Sequence, residues 1–386
     1  MIPYSRQDIN EDDIREVENI LRSDFLTQGS TVPKFEESVA KYCGVSNAVA
    51  VNSATSALHI SCIALNLGPG DWLWTSPNTF VASSNCALYC GAKVDFVDTD
   101  PLTYNMSIDA LSKKLQSAKN KGLLPKIVMP VHLAGQPCDM EAIYNLSKDY
   151  GFKIIEDASH AIGASYDDNK IGSCKHSDIT VFSFHPVKII TTGEGGMACT
   201  KNKELYERLT RLRVHGITTE KKLMKHKLES QIWNYQQIDL GFNYRMTDIQ
   251  AALGLSQMRR LDEFIKKRHL IAKTYDEEFK NLPIKIPFQA PNVYSSYHLY
   301  PILINQNECK KTQIQVYKAL LNNGIKVNLH YVPVYLHPYY ESLNFEQGYC
   351  PNAEKYFEQA ISIPIYPSLS PQNQSKVIET IFNELN

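Results

Sequence analysis

NAVAVNSATSALHISCIALNL, residues 47–67, sets a short Val- and Ala-rich run before a longer stretch of helical character, with small hydroxyl residues at the join. The first part has the length and residue types of a buried strand, and the second those of a helix packed on it. The same alternation recurs in DWLWTSP (71–77) before TFVASSNCALYCG (79–91), then in AKVDFVD (92–98), PKIVMPVH (125–132), FKIIEDAS (152–159) and DITVFSF (178–184). Strands of this kind separated by helical segments predict an α/β fold with a mostly parallel sheet covered by helices on both faces.

The texture changes near residue 246. TDIQAALGLSQMRRLDEFIKKRHLIAKTYDEEF (247–279) predicts one long helix, followed by SSYHLYPILI (295–304), a helix near 310–324, IKVNLHYVP (325–333) and a last helix after SLSPQNQSK (368–376). Fewer strands with helices between them predict a smaller α+β domain. The expected division is a large domain over 1–245 and a small one over 246–386.

Composition narrows the function classes. Of 386 residues, 40 are Lys or Arg and 41 Asp or Glu, a net charge of -1, so no bulk field draws the chain to nucleic acid or an anionic membrane. The nine cysteines are odd in number, scattered and mostly inside apolar runs, as expected of reduced thiols in the cytoplasm. None has metal-ligand spacing. No apolar run approaches the roughly 20 residues of a membrane span, and the N-terminus lacks a leader pattern, so a soluble cytoplasmic protein is expected.

In an open parallel sheet the ligand lies beyond the carboxyl ends of the strands, and four such positions are suggestive. Thr55 and Ser56, at the first strand-to-helix junction, suit either an N-cap or a phosphate site built on free N–H groups. Phe80, after the next run, is either core or a stacking face. In IIEDASHAIGA (154–164), alternation turns Glu156 and Asp157 opposite ways, so one of them reaches a shared site, with His160 close by. Asp-x-x-His without further ligands does not make a metal site. In SFHPVKIITTGEGG (183–196), Pro186 ends the strand and the glycines allow close backbone approach, which leaves Lys188 at the sheet edge. A desolvated lysine there favours the neutral amine that Schiff-base chemistry needs. Lysine, carboxylate, anion site and aromatic face together are the requirements of pyridoxal phosphate. A nicotinamide cofactor is not suggested, because GxGxxG is missing after the first strand.

With these residues in view, the sequence resembles the DegT/DnrJ/EryC1/StrS sugar aminotransferases, which are fold type I pyridoxal phosphate enzymes. The ordered motifs IPYSRQDINEDDI, NSATSALH, PVHLAGQPCDM, EDASHAIGA, SFHPVKIITTGEGG, GFNYRMTDIQAALGLSQ and HYVPVY span nearly the whole chain. The resemblance implies that Lys188 forms the Schiff base and shuttles protons, and that Asp157 pairs with the pyridine nitrogen. It places His160 near the phenolic oxygen, Phe80 against the ring, and Thr55, Ser56 and Ser183 on the phosphate. It also implies a homodimer with composite sites, in which Asn243 reaches the neighbouring subunit's phosphate and Arg245 lies nearby. His215, His330 and Tyr331 are candidates for the substrate side; for the last two, packed aromatics of a Pro-punctuated strand are the alternative.

Relatives with histidine in place of the lysine act as sugar dehydratases, and this chain keeps Lys188. The softer motifs look most like the branch of the family serving pseudaminic acid synthesis. That likeness implies amino transfer from L-glutamate, released as 2-oxoglutarate, through pyridoxamine phosphate, to C4 of UDP-2-acetamido-2,6-dideoxy-β-L-arabino-hexos-4-ulose. Perosamine-type and 3-amino sugar transaminases share most of these motifs. The resulting sugar is expected in flagellin or surface polysaccharide.

Overall fold

Val49 and Val51 point to one side of their strand and Ala48 and Ala50 to the other, and all four are buried, because helices cover both faces of the sheet. The structure, a computed structural model, describes residues 1–225 and 230–385. Seven strands form the main sheet: β1 (Asn47–Val51), β2 (Trp72–Thr75), β3 (Lys93–Phe96), β4 (Ile127–Met129), β5 (Lys153–Asp157), β6 (Ile179–Ser183) and β7 (Gly196–Thr200). Their order is β1-β7-β6-β5-β4-β2-β3. From β3 across to β6 the pairings are parallel. β7 runs antiparallel to both β6 and β1, which makes the sheet mixed but mostly parallel.

One face is covered by α2 (Thr31–Cys43), α5 (Ile108–Lys121) and α6 (Met140–Tyr150), with Phe35, Val39, Leu111, Leu115 and Ile143 fully buried. The other face packs on α3 (Ala54–Ala64), α4 (Ala82–Tyr89) and α7 (Lys203–Leu212). α1 (Glu11–Leu21) starts with a capping box in which Asn10 and Asp13 bond each other's backbone N–H.

The long helical pattern after 246 is two helices, α8 (Asp248–Met258) and α9 (Leu261–Phe279). The chain breaks at Arg260, which leaves helical geometry and extends its guanidinium to Asp8 and Asp13, both at 2.6 Å. A three-stranded antiparallel sheet, β8 (Ile284–Lys285), β9 (Tyr300–Ile304) and β10 (Ala360–Ile363), packs on α9, α10 (Gln313–Asn322) and the last helix, Pro371–Leu385. α8 lies against α1 and α2. We propose to keep 1–245 and 246–386 as the two chain units, with α8 as the join. The N-terminal residues connect them as well: Ile2 exchanges backbone hydrogen bonds of 2.8 Å with Gly324 and Lys326, and Ser5 donates to the Val187 carbonyl, in the segment after β6, at 2.9 Å. Among the described residues no helix is long and apolar enough to cross a membrane.

Candidate active site

β5 ends on two adjacent carboxylates, and the pleat separates them. Glu156 turns away and accepts hydrogen bonds from His132 Nε2 (2.8 Å), Thr180 Oγ1 (2.7 Å) and Ser177. Asp157 turns into a cavity of about 790 Å³ at the carboxyl edge of the sheet. Its Oδ2 accepts from Ser83 Oγ at 2.6 Å, and its Oδ1 from the Ser159 hydroxyl (2.6 Å) and N–H (3.1 Å). Three neutral donors thus hold a carboxylate that is 4% exposed, as burial of such a group requires.

Lys188 enters the same cavity from the irregular segment after β6. Pro186 stops the strand, and the Lys188 N–H closes a turn onto the His185 carbonyl at 2.9 Å. Desolvation pulls the ammonium down to about 8, against a smaller upward pull from Asp157. A substantial neutral fraction is therefore present at physiological pH.

Four histidines line the cavity, His185 exposed and the other three buried. His160, 4% exposed, is pushed well below its ordinary range by burial and by the charge of Lys188, and its Nε2 lies 3.1 Å from the Tyr331 hydroxyl. His298, 2% exposed, stands 4.3 Å from His160 between ring centroids and is likewise held neutral by burial. His330 is lowered to about 3 by desolvation and by Lys188. The three buried rings are thus held neutral, and Lys188 is the cation beside them.

The other end of the cavity is the first turn of α3. Ser53 caps the helix by accepting the Ser56 N–H at 3.1 Å, so that amide is already engaged, while Ala54 and Thr55 sit where helical N–H groups have no intrahelical acceptor. The Ser183 side chain lines the same wall. Gly196 makes the approach possible, because a Cβ there would lie 2.5 Å from Ala54 N.

Thr55, Ser56, Asp157, His160, Ser183, Lys188, His330 and Tyr331 all line one cavity. Phe80 stands at its mouth, 61% exposed and 6.5 Å from the Tyr331 ring. Asn243, Arg245 and His215 do not line it. Asn243 is exposed and bridges Val214, Arg245 bridges Val51, and His215 is exposed at φ 58 with its N–H on the Phe242 carbonyl at 2.9 Å. His298, Tyr4 and Asn328 also line the cavity and are not singled out by sequence reasoning. A histidine immediately before the apolar run of SSYHLYPILI is the one signal that marks His298.

The chain is similar along its whole length to proteins with related names. It is 37% identical to the UDP-4-amino-4,6-dideoxy-N-acetyl-beta-L-altrosamine transaminase of Campylobacter jejuni serotype O:2, covering 100% of this chain and 98% of that protein. It superposes on Helicobacter pylori PseC, described as an aminotransferase involved in the biosynthesis of pseudoaminic acid, with a TM-score of 0.89 at 30% identity, covering 100% and 99%. The PLP-form of Streptococcus pneumoniae Spr1654, a putative sugar aminotransferase by its description, gives 0.88 at 31% identity, covering 98% and 97%. The family model for these enzymes matches residues 7–382, and the chain belongs to the DegT/DnrJ/EryC1/StrS aminotransferase family.

Proposed function

We propose that the protein transfers an amino group from L-glutamate to C4 of a 4-keto-6-deoxy nucleotide sugar, UDP-2-acetamido-2,6-dideoxy-β-L-arabino-hexos-4-ulose, in pseudaminic acid synthesis. The observation that carries this reading is the convergence on one cavity of an amine of lowered proton affinity, a buried serine-held carboxylate and the first turn of α3. The relatives' names support the choice of sugar.

The residues present fit pyridoxal phosphate. The cavity reaches the first turn of α3, where N–H groups without an intrahelical acceptor suit a phosphate beside Thr55 and Ser183, and Asp157 offers an acceptor to a protonated ring nitrogen. Lys188 would hold the group covalently, with Phe80 against its face. When bound, this cofactor supplies an electron sink that makes the Cα–H of an amino acid acidic.

The chain's own residues then have separate tasks. Lys188, neutral in part near pH 7, takes the Cα proton of glutamate and returns a proton to the carbon that receives the amine. Asp157 keeps its charge at a fixed place because Ser83 and Ser159 hold both oxygens. His160, uncharged, offers hydrogen bonding without a competing cation, and the Tyr331 hydroxyl sets its ring. We further propose a homodimer, in which Asn243, turned away from its own cavity, completes the neighbouring subunit's phosphate site with Arg245 beside it. His215, His330 and Tyr331 remain proposed substrate-side residues.

The test is incubation with glutamate and a panel of 4-keto and 3-keto nucleotide sugars, reading product mass and stereochemistry. A 4-amino UDP-sugar is expected, and Lys188→Ala should abolish it. An amine at C3, a preference for a GDP or dTDP sugar, or loss of water in place of amine gain would overturn the substrate assignment.

A further inference from the structure

The hydrogen bonds around His330 have a fixed direction, and it can be read from one end. Leu329 N–H, which can only donate, is 2.9 Å from the Asn328 side-chain oxygen, so that oxygen is Oδ1 and the amide's NH₂ points the other way. The NH₂ lies 3.3 Å from His330 Nε2. Nε2 must therefore accept, which places the ring proton on Nδ1. Nδ1 then donates to Ser362 Oγ at 2.9 Å. A proton on Nε2, whether in the other tautomer or in the imidazolium, would set donor against donor.

Each member is held in place. Ser362, on β10, is 1% exposed, and its backbone exchanges hydrogen bonds with Asn328 at 2.7 and 3.1 Å. Tyr356 Oη donates to the His330 carbonyl at 3.0 Å. Ser362 lies behind the cavity wall, while His330 and Asn328 line it, so the unprotonated nitrogen is on the cavity side. The titratable groups facing His330 are Lys188, His160, His298, Tyr4, Tyr331 and Tyr356.

We propose that Ser362 is a positioning residue that, together with Asn328, holds His330 as the neutral Nδ1–H tautomer, the amide requiring Nε2 to accept and the hydroxyl taking the Nδ1 proton, so that proton transfer in this corner runs on Lys188 and not on His330. The logic resembles the way a buried partner fixes the tautomer of a catalytic histidine, but here the fixed state denies the ring a proton on its working side. The kinetic consequence rests on the amino-transfer reading; the tautomer does not.

The test is 15N NMR of the histidine rings in full-length protein purified with pyridoxal phosphate, with His330 assigned by its loss in His330→Gln. Wild type should show Nδ1 protonated and Nε2 bare from about pH 5 to about pH 8, the range over which a free histidine changes charge. Ser362→Ala should admit the Nε2–H tautomer beside Nδ1–H, because Nδ1–H loses its acceptor, and should lower kcat/KM about tenfold, the loss of one buried hydrogen bond. Ser362→Thr, which keeps the hydroxyl, should restore both. An Nε2–H or doubly protonated ring in wild type overturns the proposal, as does an unchanged 15N pattern in Ser362→Ala. Should that variant not fold, the wild-type and Ser362→Thr spectra decide. A correct tautomer in a protein without transaminase activity would overturn the proposed function and leave the tautomer assignment standing.

Discussion

Ser83 donates its hydroxyl to Asp157 Oδ2 at 2.6 Å, which ties the first turn of α4 to the end of β5. A hydrogen bond to a buried carboxylate contributes about 1.5–3 kcal/mol, so Ser83→Ala should weaken pyridoxal phosphate binding by about tenfold or more. Absorbance titration of the apo protein checks this. Asp157→Asn should retain bound cofactor but lower turnover, and an unchanged rate would remove the role proposed for the carboxylate.

Lys188 carries a sign that runs against habit for a lysine. Its folded value of about 8 lies below the ordinary 10.5, so the unfolded chain binds the proton more tightly. Folding therefore bears the full penalty below about pH 8, and the penalty fades as pH rises toward 10.5. Lys188→Met should accordingly raise the melting temperature of the apo protein at neutral pH, with the gain disappearing in alkaline buffer. Cofactor capture by wild-type apo protein should speed up as pH rises through about 8 and then level off, because only the neutral amine reacts. A capture rate flat across that range would show that the amine is not desolvated.

Gly196 pairs with Val51 on one side and Ser183 on the other, where β7 begins against the α3 junction. A Cβ there would meet Ala54 N, Ser53 C and Ser53 O, all at 2.5 Å, and this backbone cannot rotate away. Gly196→Ala should cost about 1–3 kcal/mol of stability by overpacking. It should also weaken phosphate-dependent cofactor binding more than Ser183→Ala, which removes one hydroxyl and moves no backbone. Chemical denaturation and cofactor titration of the two variants make the comparison.

The strands from Asn47 to Ser183 were legible because each is a short apolar run bounded by helical periods, and burial on both faces leaves little else for them to be. Strand alternation predicts that Glu156 and Asp157 face opposite ways, and the structure turns them so, but which of the two enters the cavity comes from the family resemblance and not from alternation. The reversed direction of β7 was not legible, since GMACT reads the same in either direction and its orientation is set by the turn that carries Lys188. Nor was the break between α8 and α9, which depends on Arg260 finding Asp8 and Asp13 some 250 residues earlier in the chain. His298 escaped notice because its place beside His160 depends on how the small sheet docks, a contact that has no local pattern.

That docking has a buried hub, and it carries the last prediction. Arg268 on α9 is fully buried, and its Nη1 donates to the carbonyls of Tyr297 (3.1 Å), His298 (3.2 Å) and Ile365 (2.9 Å). Ile365 N–H in turn donates to the Tyr4 carbonyl at 3.1 Å, so one guanidinium joins the segments that deliver His298 and Tyr4 to the cavity. Desolvation pulls Arg268 down to about 9, so the buried charge is itself costly. Arg268→Met removes that cost but leaves three carbonyls without their donor, each an unsatisfied buried acceptor at about 1–3 kcal/mol. The net change should be destabilising, by about 2–4 kcal/mol, because orphaned groups outweigh a relieved charge when their surroundings stay closed. Arg268→Lys keeps the charge but replaces the planar fork with a point donor, and should recover only part of the loss. Denaturant unfolding of both variants measures this, and His298 should be displaced enough in the Met variant to lower kcat more than it changes the KM for glutamate. Equal stability of wild type and Arg268→Met would mean that the three carbonyls find other donors, and that the hub is not what holds His298 in place.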